Sequence, residues 1–168
     1  MSDEIETPRL RLRVLCEADT DRAFAMSRDP LLVRFLPDQV YRDEAHAAAV
    51  VRALIAASVA RDPRVRPYVM GVVLRDGGEL VGHVGFSAVP DGVEIGYAID
   101  ERFNGRGMAS EAVGAAARWA LATFGLDAVL GIVEDENPAS IRVLEKSGFI
   151  DRGDRTASGK RVYRFGLG

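Results

Sequence analysis

The chain has 168 residues, enough for one domain with a substantial buried core, and its 48% hydrophobic and 28% charged residues are ordinary for a globular protein. A net charge of −3 leaves no basic footprint for nucleic acid, and the one cysteine, Cys16, excludes an intramolecular disulfide framework. No apolar run approaches the ~20 residues of a membrane span, and the acidic start (Asp3, Glu4, Glu6) is unlike a signal peptide; a soluble cytoplasmic protein is the expectation.

Arg9 to Leu15 alternates charged and apolar residues, the period of a half-buried strand, with Arg9, Arg11 and Arg13 expected on a solvated edge. Glu17 to Ser27 predicts a helix, its early Asp19 and Asp21 favouring the dipole, and Leu31 to Leu36 a short helical piece before Pro37. From Asp43 to about Arg61 a longer helix is predicted, with Ala48, Val51, Leu54, Ile55 and Val59 along one face. Three strands follow: Tyr68 to Leu74, Leu80 to Val89 and Val93 to Ile99. The turns Asp76-Gly77-Gly78 and Pro90-Asp91-Gly92 between them are short enough for an antiparallel meander.

After Ile99 comes a polar loop, Asp100 to Gly107, with glycines at 105 and 107, and then a helix to about Phe124, stopped by Gly125. Glycines let the backbone turn tightly with its N–H groups bare, and a helix start adds unpaired N–H groups and the positive end of the dipole. Strand, loop and helix start together form a cradle for a phosphate or pyrophosphate. Ala128 to Val133 is apolar on both faces, as in a strand covered by helices, which makes a βαβ crossover. Asn137-Pro138 opens another helix, with Ile141, Val143, Leu144 and Lys146, that Gly148 stops. Strands Phe149 to Arg155 and Arg161 to Leu167 close a single α/β domain, residues 1–168, around the turn Ala157-Ser158-Gly159.

Three phosphate ligands compete for the cradle. A nucleoside-triphosphate loop needs Lys-Ser or Lys-Thr after its last glycine, where Met108-Ala109 stand. A dinucleotide fingerprint fits Gly105-Arg106-Gly107-Met108-Ala109-Ser110 except at its third glycine, and Glu134 falls near the ribose-binding acid. Against it, five residues separate Ile99 from Gly105 and only 34 follow Glu134, too few for the remaining units. The third ligand is the pyrophosphate of coenzyme A.

Arg102-Phe103-Asn104-Gly105-Arg106-Gly107 resembles the Q/R-x-x-G-x-G/A signature of the GNAT superfamily of acyl-CoA-dependent N-acyltransferases. In matching order the chain also carries Thr7-Pro8-Arg9-Leu10, Glu94-Ile95-Gly96-Tyr97, Met108-Ala109-Ser110-Glu111-Ala112, Asn137-Pro138-Ala139-Ser140 and Ser147-Gly148-Phe149. The likeness covers practically the whole chain and is to the branch that acetylates N-termini of ribosomal proteins. It implies a GNAT-type mixed sheet: an N-terminal strand and helices, the meander, and a central βαβ crossover flanked by helices.

The resemblance further implies that acetyl-CoA is the acyl-donor cosubstrate, with no metal. Its pyrophosphate would lie on backbone N–H groups of Asn104, Gly105, Arg106, Gly107, Met108 and Ala109. Arg102 and Arg106 would add charge, and Arg142 or Lys146 would reach the nucleotide end; solvated surface arginines are the alternative. The strands at 93–99 and 128–133 would splay, so that free backbone groups at Ala98 and Ile99 pair with the pantetheine, an approach the small Gly96 and Ala98 allow. Asn137 either binds the pantetheine or simply caps its helix.

Direct attack by an amine needs help with a proton, since an alkylamine of pKa ~10 is only about 0.1% neutral at pH 7. Glu94 is the candidate base and His83 the other one; a backbone N–H near Ile99 would serve the carbonyl oxygen, and Ser140 the departing thiolate. Many family members carry a tyrosine acid seven residues after the asparagine. Here that position is Leu144, which leaves Ser140, Tyr97 or water. The expected acceptor is an amine, a protein N-terminus or a small molecule; homodimerisation is common in this branch, and no nucleic acid or membrane partner is expected. A non-catalytic acyl-CoA sensor and a different donor such as succinyl-CoA are the alternatives.

Overall fold

The computed structural model describes residues 3–166; Leu167, the predicted end of the last strand, lies outside them. In chain order the elements are β1 (Ile5–Glu6), β2 (Leu10–Val14), α1 (Thr20–Met26), α2 (Pro30–Phe35), α3 (Glu44–Ser58), β3 (Tyr68–Leu74), β4 (Leu80–Val89), β5 (Gly92–Ile99), α4 (Met108–Phe124), β6 (Ala128–Val133), α5 (Pro138–Lys146), β7 (Ile150–Arg155) and β8 (Arg161–Gly166). Short 3₁₀ turns precede α1 and α4 and follow α2. The eight strands form one sheet in the order β1-β2-β3-β4-β5-β6-β8-β7. All pairings are antiparallel except β5 with β6, as the predicted meander and crossover require.

The two faces of the sheet are packed differently. Met70 and Val72 of β3, Val84 of β4, and Val93 and Ile95 of β5 join the main core with α4. That helix lays Ala112, Val113, Ala116, Ala117 and Ala120 on the sheet, small side chains that let it approach closely. On the opposite face Leu15, Val73 and Leu80 form a second cluster with Met26 of α1 and Leu54 and Ile55 of α3. Helices on both faces explain why β3 is apolar almost without a break.

Boundaries follow local chemistry. Asp43 accepts from His46 N at 2.7 Å to cap α3, Asp29 does the same for Leu31 N ahead of Pro30, and Gly125 ends α4 at φ 60°. Three expectations change. Helix α3 ends at Ser58, so Val59 lies past it and is 78% exposed instead of facing the core. The predicted helix 17–27 divides into a 3₁₀ turn and α1, because the Asp19 carboxylate is taken by Cys16 N (2.8 Å) and the Arg13 fork (2.8 and 2.9 Å). Arg13 is therefore not on a solvated edge, being paired with Asp19 and only 22% exposed, whereas Arg9 stays exposed at 45% yet is ion-paired with Glu111.

Candidate active site

The crossover strands part where the site begins. Between β5 and β6 the one registered pair is Glu94 with Leu130; beyond it the polar backbone groups of β5 on that side, out to Ile99, have no strand partner. A cavity of about 180 Å³ opens there. It is bounded by Tyr97, Ala98 and Ile99 of β5, Asn104 and Ala109 of the loop and α4, and Asn137, Ser140 and Val143 of α5, with α2 across it.

Gly105 and Gly107 adopt φ 74° and 76°, the left-handed region that favours glycine. Gly107 is the N-cap of α4 and no side chain caps the helix, so its first N–H groups stay open to an anion. Met108 turns its side chain into the core and contributes to such a site through its backbone alone. Arg102, though exposed, is committed to ion pairs: it donates to Asp100 at 2.9–3.2 Å and to Glu79 at 2.5 Å. Arg106 stacks on Phe103, 5.6 Å from its centroid, and the exposed Arg142 has no ion-pair partner among the described residues, which leaves these two cations free.

The turn between β1 and β2 holds the loop in place. Arg9 donates through Nη1 to Arg106 O at 2.7 Å and through Nε to Glu111 Oε2 at 2.7 Å. Glu111 Oε1 accepts from Thr7 Oγ1 at 2.6 Å and from Arg9 N at 2.9 Å. Burial pushes the Glu111 carboxyl up, and hydrogen bonds from Thr7 and Arg9 more than offset it, so its pKa falls below the usual range. Both motifs were visible in the sequence; their pairing across 102 residues was not.

Tyr97 and Ser140 face each other across the cavity. The phenol oxygen lies 2.5 Å from Ser140 Oγ and 3.2 Å from Ser140 O, and burial pushes its pKa up to about 12. Asn137 Oδ1 accepts from Ser140 N at 3.2 Å, so the side chain caps α5 and keeps its amide NH₂ for the cavity it lines. Leu144, 1% exposed, fills the core against Gly131, where a Cβ would come within 2.6 Å of Leu144 Cδ2.

Glu94 does not border this cavity. It lines a second one, about 330 Å³, over the meander beneath α1–α3. Burial raises its carboxyl, and the Lys160 charge pulls the other way. His83 borders both cavities, together with Met26, Leu32 and Leu36; burial lowers its pKa to about 4, so it is neutral at pH 7. Among the described residues no group of three or more metal-ligating side chains is present, and no helix is long and apolar enough to cross a membrane.

Splayed strands, a glycine cradle at a helix start and a hydroxyl pair between them fit an acyl-thioester site, and comparison with known proteins agrees. Residues 9–150 match the acetyltransferase (GNAT) domain family, most of the chain. The chain belongs to the GNAT family. It is an acyl-CoA-dependent N-acetyltransferase with the GNAT fold. It is similar to the uncharacterized N-acetyltransferase YoaA of Bacillus subtilis, 28% identical over 152 residues, 89% of this chain and 84% of that one. Among solved structures it resembles an Agrobacterium tumefaciens acetyltransferase (TM-score 0.78, 24% identity, 99% and 96% of the two chains). It also resembles the ribosomal α-N-protein acetyltransferase RimL in complex with coenzyme A (TM-score 0.77, 16% identity, 98% of each chain).

Proposed function

We propose that residues 1–168 act as one GNAT domain that transfers the acetyl group of acetyl-CoA directly to a primary amine, a protein N-terminal α-amine or a small molecule. The observation that carries this reading is the parting of β5 and β6 after Glu94 and Leu130, with the cavity set between unpaired strand backbone and the open start of α4. Bound acetyl-CoA supplies an acyl carbon activated as a thioester. Ala98 and Ile99 offer backbone groups to its pantetheine, Asn137 its amide, and residues 104–109 their N–H groups to the pyrophosphate, with Arg106 adding charge. The cavity lining holds two carboxylates, Asp29 and Asp100, and no lysine or arginine, which favours an uncharged acetyl group over the carboxylate of a succinyl donor.

Glu94 takes a proton from the ammonium, directly or through water, so that the neutral amine attacks. The Ile99 N–H holds negative charge on the carbonyl oxygen as the C–N bond forms and the C–S bond breaks. Ser140 holds the departing thiolate with a hydrogen bond from its O–H, and that thiolate takes up the second proton of the attacking nitrogen, directly or through water, as the amide forms. An alkyl thiol has a pKa of ~8.5, well below the value of about 12 for Tyr97, so Tyr97 does not act as the acid. It keeps its proton and donates it to Ser140 Oγ, which aims the Ser140 proton at the sulfur. This hydroxyl pair and the partly buried carboxylate of Glu94 favour a catalyst over a sensor.

Thiol release from acetyl-CoA in the presence of an amine tests the reading. Amine-dependent release that falls in Ser140→Ala supports it, and binding of acetyl-CoA without turnover of any amine contradicts it.

A further inference from the structure

On the face of the sheet beneath α1 and α3, β4 and β5 set His83 opposite Ala98, Gly85 opposite Gly96 and Ser87 opposite Glu94. These pairs lie two residues apart, so they share one side of the pleat. The middle pair has no side chains, which leaves a bare patch of backbone between His83 and Glu94. A Cβ on Gly96 would meet nothing within 4 Å; one on Gly85 would touch Val69 Cγ2 at 3.1 Å. The patch is the floor of the 330 Å³ cavity, near the lower end of the range of ~300–1,000 Å³ usual for small-ligand sites.

The walls are mainly aliphatic, among them Leu15, Val51, Leu54 and Val69, and no lysine or arginine lines them. Glu94 is the partly buried carboxylate beside the floor; the other carboxylate of the lining, Asp38, is exposed, where solvent weakens pairing. Gln39 Oε1, in the same lining, is buried and has no hydrogen-bond partner. Met26, Leu32, Leu36 and His83 join this cavity to the one between β5 and α5.

We propose that this cavity, on the acceptor side of the sheet in the acetyltransferase reading, selects a primary amine carried on an uncharged apolar body, and that Gly96 sets the size of that body. The proposal rests on the acetyltransferase reading and deepens it. Glu94 can pair with one ammonium, and the neutral His83 lets the amine pass toward the thioester without charge repulsion. A second cationic centre, as in a polyamine, would lie among aliphatic side chains with only the solvent-exposed Asp38 of the lining to pair with. The unpaired Gln39 oxygen accepts from a further N–H. Two sources share this chemistry: a free monoamine, and the α-amine of a peptide that begins with an apolar residue.

The test compares thiol release from acetyl-CoA with phenethylamine, a leucine-led dipeptide amide, spermidine and methylamine, for the intact chain and for Gly96→Val. Acetyl-CoA affinity is measured separately by calorimetry. At least one apolar probe is expected to exceed spermidine in kcat/KM by about tenfold or more, and the better of the two identifies the source. Gly96 borders this cavity and not the one between β5 and α5, so Gly96→Val is expected to cut the ratio of that probe to methylamine by about tenfold while acetyl-CoA affinity is retained. Gly96→Ala, whose added carbon enters open space, gives a smaller shift in the same direction should the valine variant fail to fold. Acetyl-CoA binding with a preference for spermidine, or an equal loss for all amines in the glycine variants, overturns the subsite alone. No acetyl-CoA binding overturns the acetyltransferase reading and the subsite with it.

Discussion

Glu94 carries the clearest conflict between stability and function at the scale of a residue. Burial raises its carboxyl pKa, so the folded chain holds this proton more tightly than the unfolded chain does. The stability linked to that proton is full below the ordinary carboxylate range and lost as pH rises through the folded value; at pH 7 the ionised group is a cost. Glu94→Gln is therefore expected to keep or raise the Tm at pH 7 while lowering kcat/KM by about 10²–10⁴, and to remove the acid limb of the pH–rate profile. Were His83 the base, the limb would survive this change and fall near 4, its lowered value. In the proposed mechanism Tyr97 acts through Ser140, so Tyr97→Phe should lower kcat by about tenfold and leave the KM for the amine unchanged. In a Ser140→Ala background the same change should cost almost nothing, whereas a merely structural phenol would cost the same in both.

Among the elements, the glycine loop is secured by the turn between β1 and β2, far away in sequence. Arg9 reaches Arg106 O, and Glu111 ties Arg9 and Thr7 to the first turn of α4. Arg9→Ala or Glu111→Gln is expected to raise the KM for acetyl-CoA by about tenfold with a smaller effect on kcat, measured by steady-state kinetics. Helix α5 poses the opposite case. Leu144 is packed against Gly131, so Leu144→Tyr should overpack the core by about 1–3 kcal/mol in denaturant unfolding and bring no gain in rate. The sequence marked these elements well wherever glycine, proline or a capping residue punctuates it: β3, β4, β6, α4 and α5 begin or end at Asp76-Gly77-Gly78, Gly125 and Asn137-Pro138. The two-residue β1 is too short for a period to register. The glycine loop was legible because its backbone demands glycine locally. The Tyr97–Ser140 pair, the Arg9–Glu111 clamp and the Gly85–Gly96 floor were not, because each depends on strand register or helix placement that no short stretch of sequence encodes.

Across the whole molecule, Asp100 links α1 to the glycine loop. It accepts from Arg22 of α1 at 2.5 Å and from the Arg102 side chain and backbone. Burial pushes its carboxyl up, but the Arg102 and Arg22 hydrogen bonds prevail and bring it to about 2. This stability is present above the ordinary carboxylate range and is lost as pH falls through that value. Asp100→Asn should therefore cost about 2 kcal/mol at pH 7, and the difference from the parent chain should shrink as unfolding is measured at lower pH. The same network fixes the end of β5 next to both cavities, which meet at His83.

The most direct test of the account is calorimetric titration of acetyl-CoA into the intact chain and into a folded Gly105→Val variant, with NAD and ATP as controls. A Cβ at Gly105 meets no neighbouring atom within 4 Å, so any loss reports the φ of 74° and the loop it shapes. Acetyl-CoA alone is expected to bind, at one site, with affinity weakened about tenfold or more by the substitution. Binding of NAD in its place, or acetyl-CoA affinity indifferent to Gly105, would contradict that expectation.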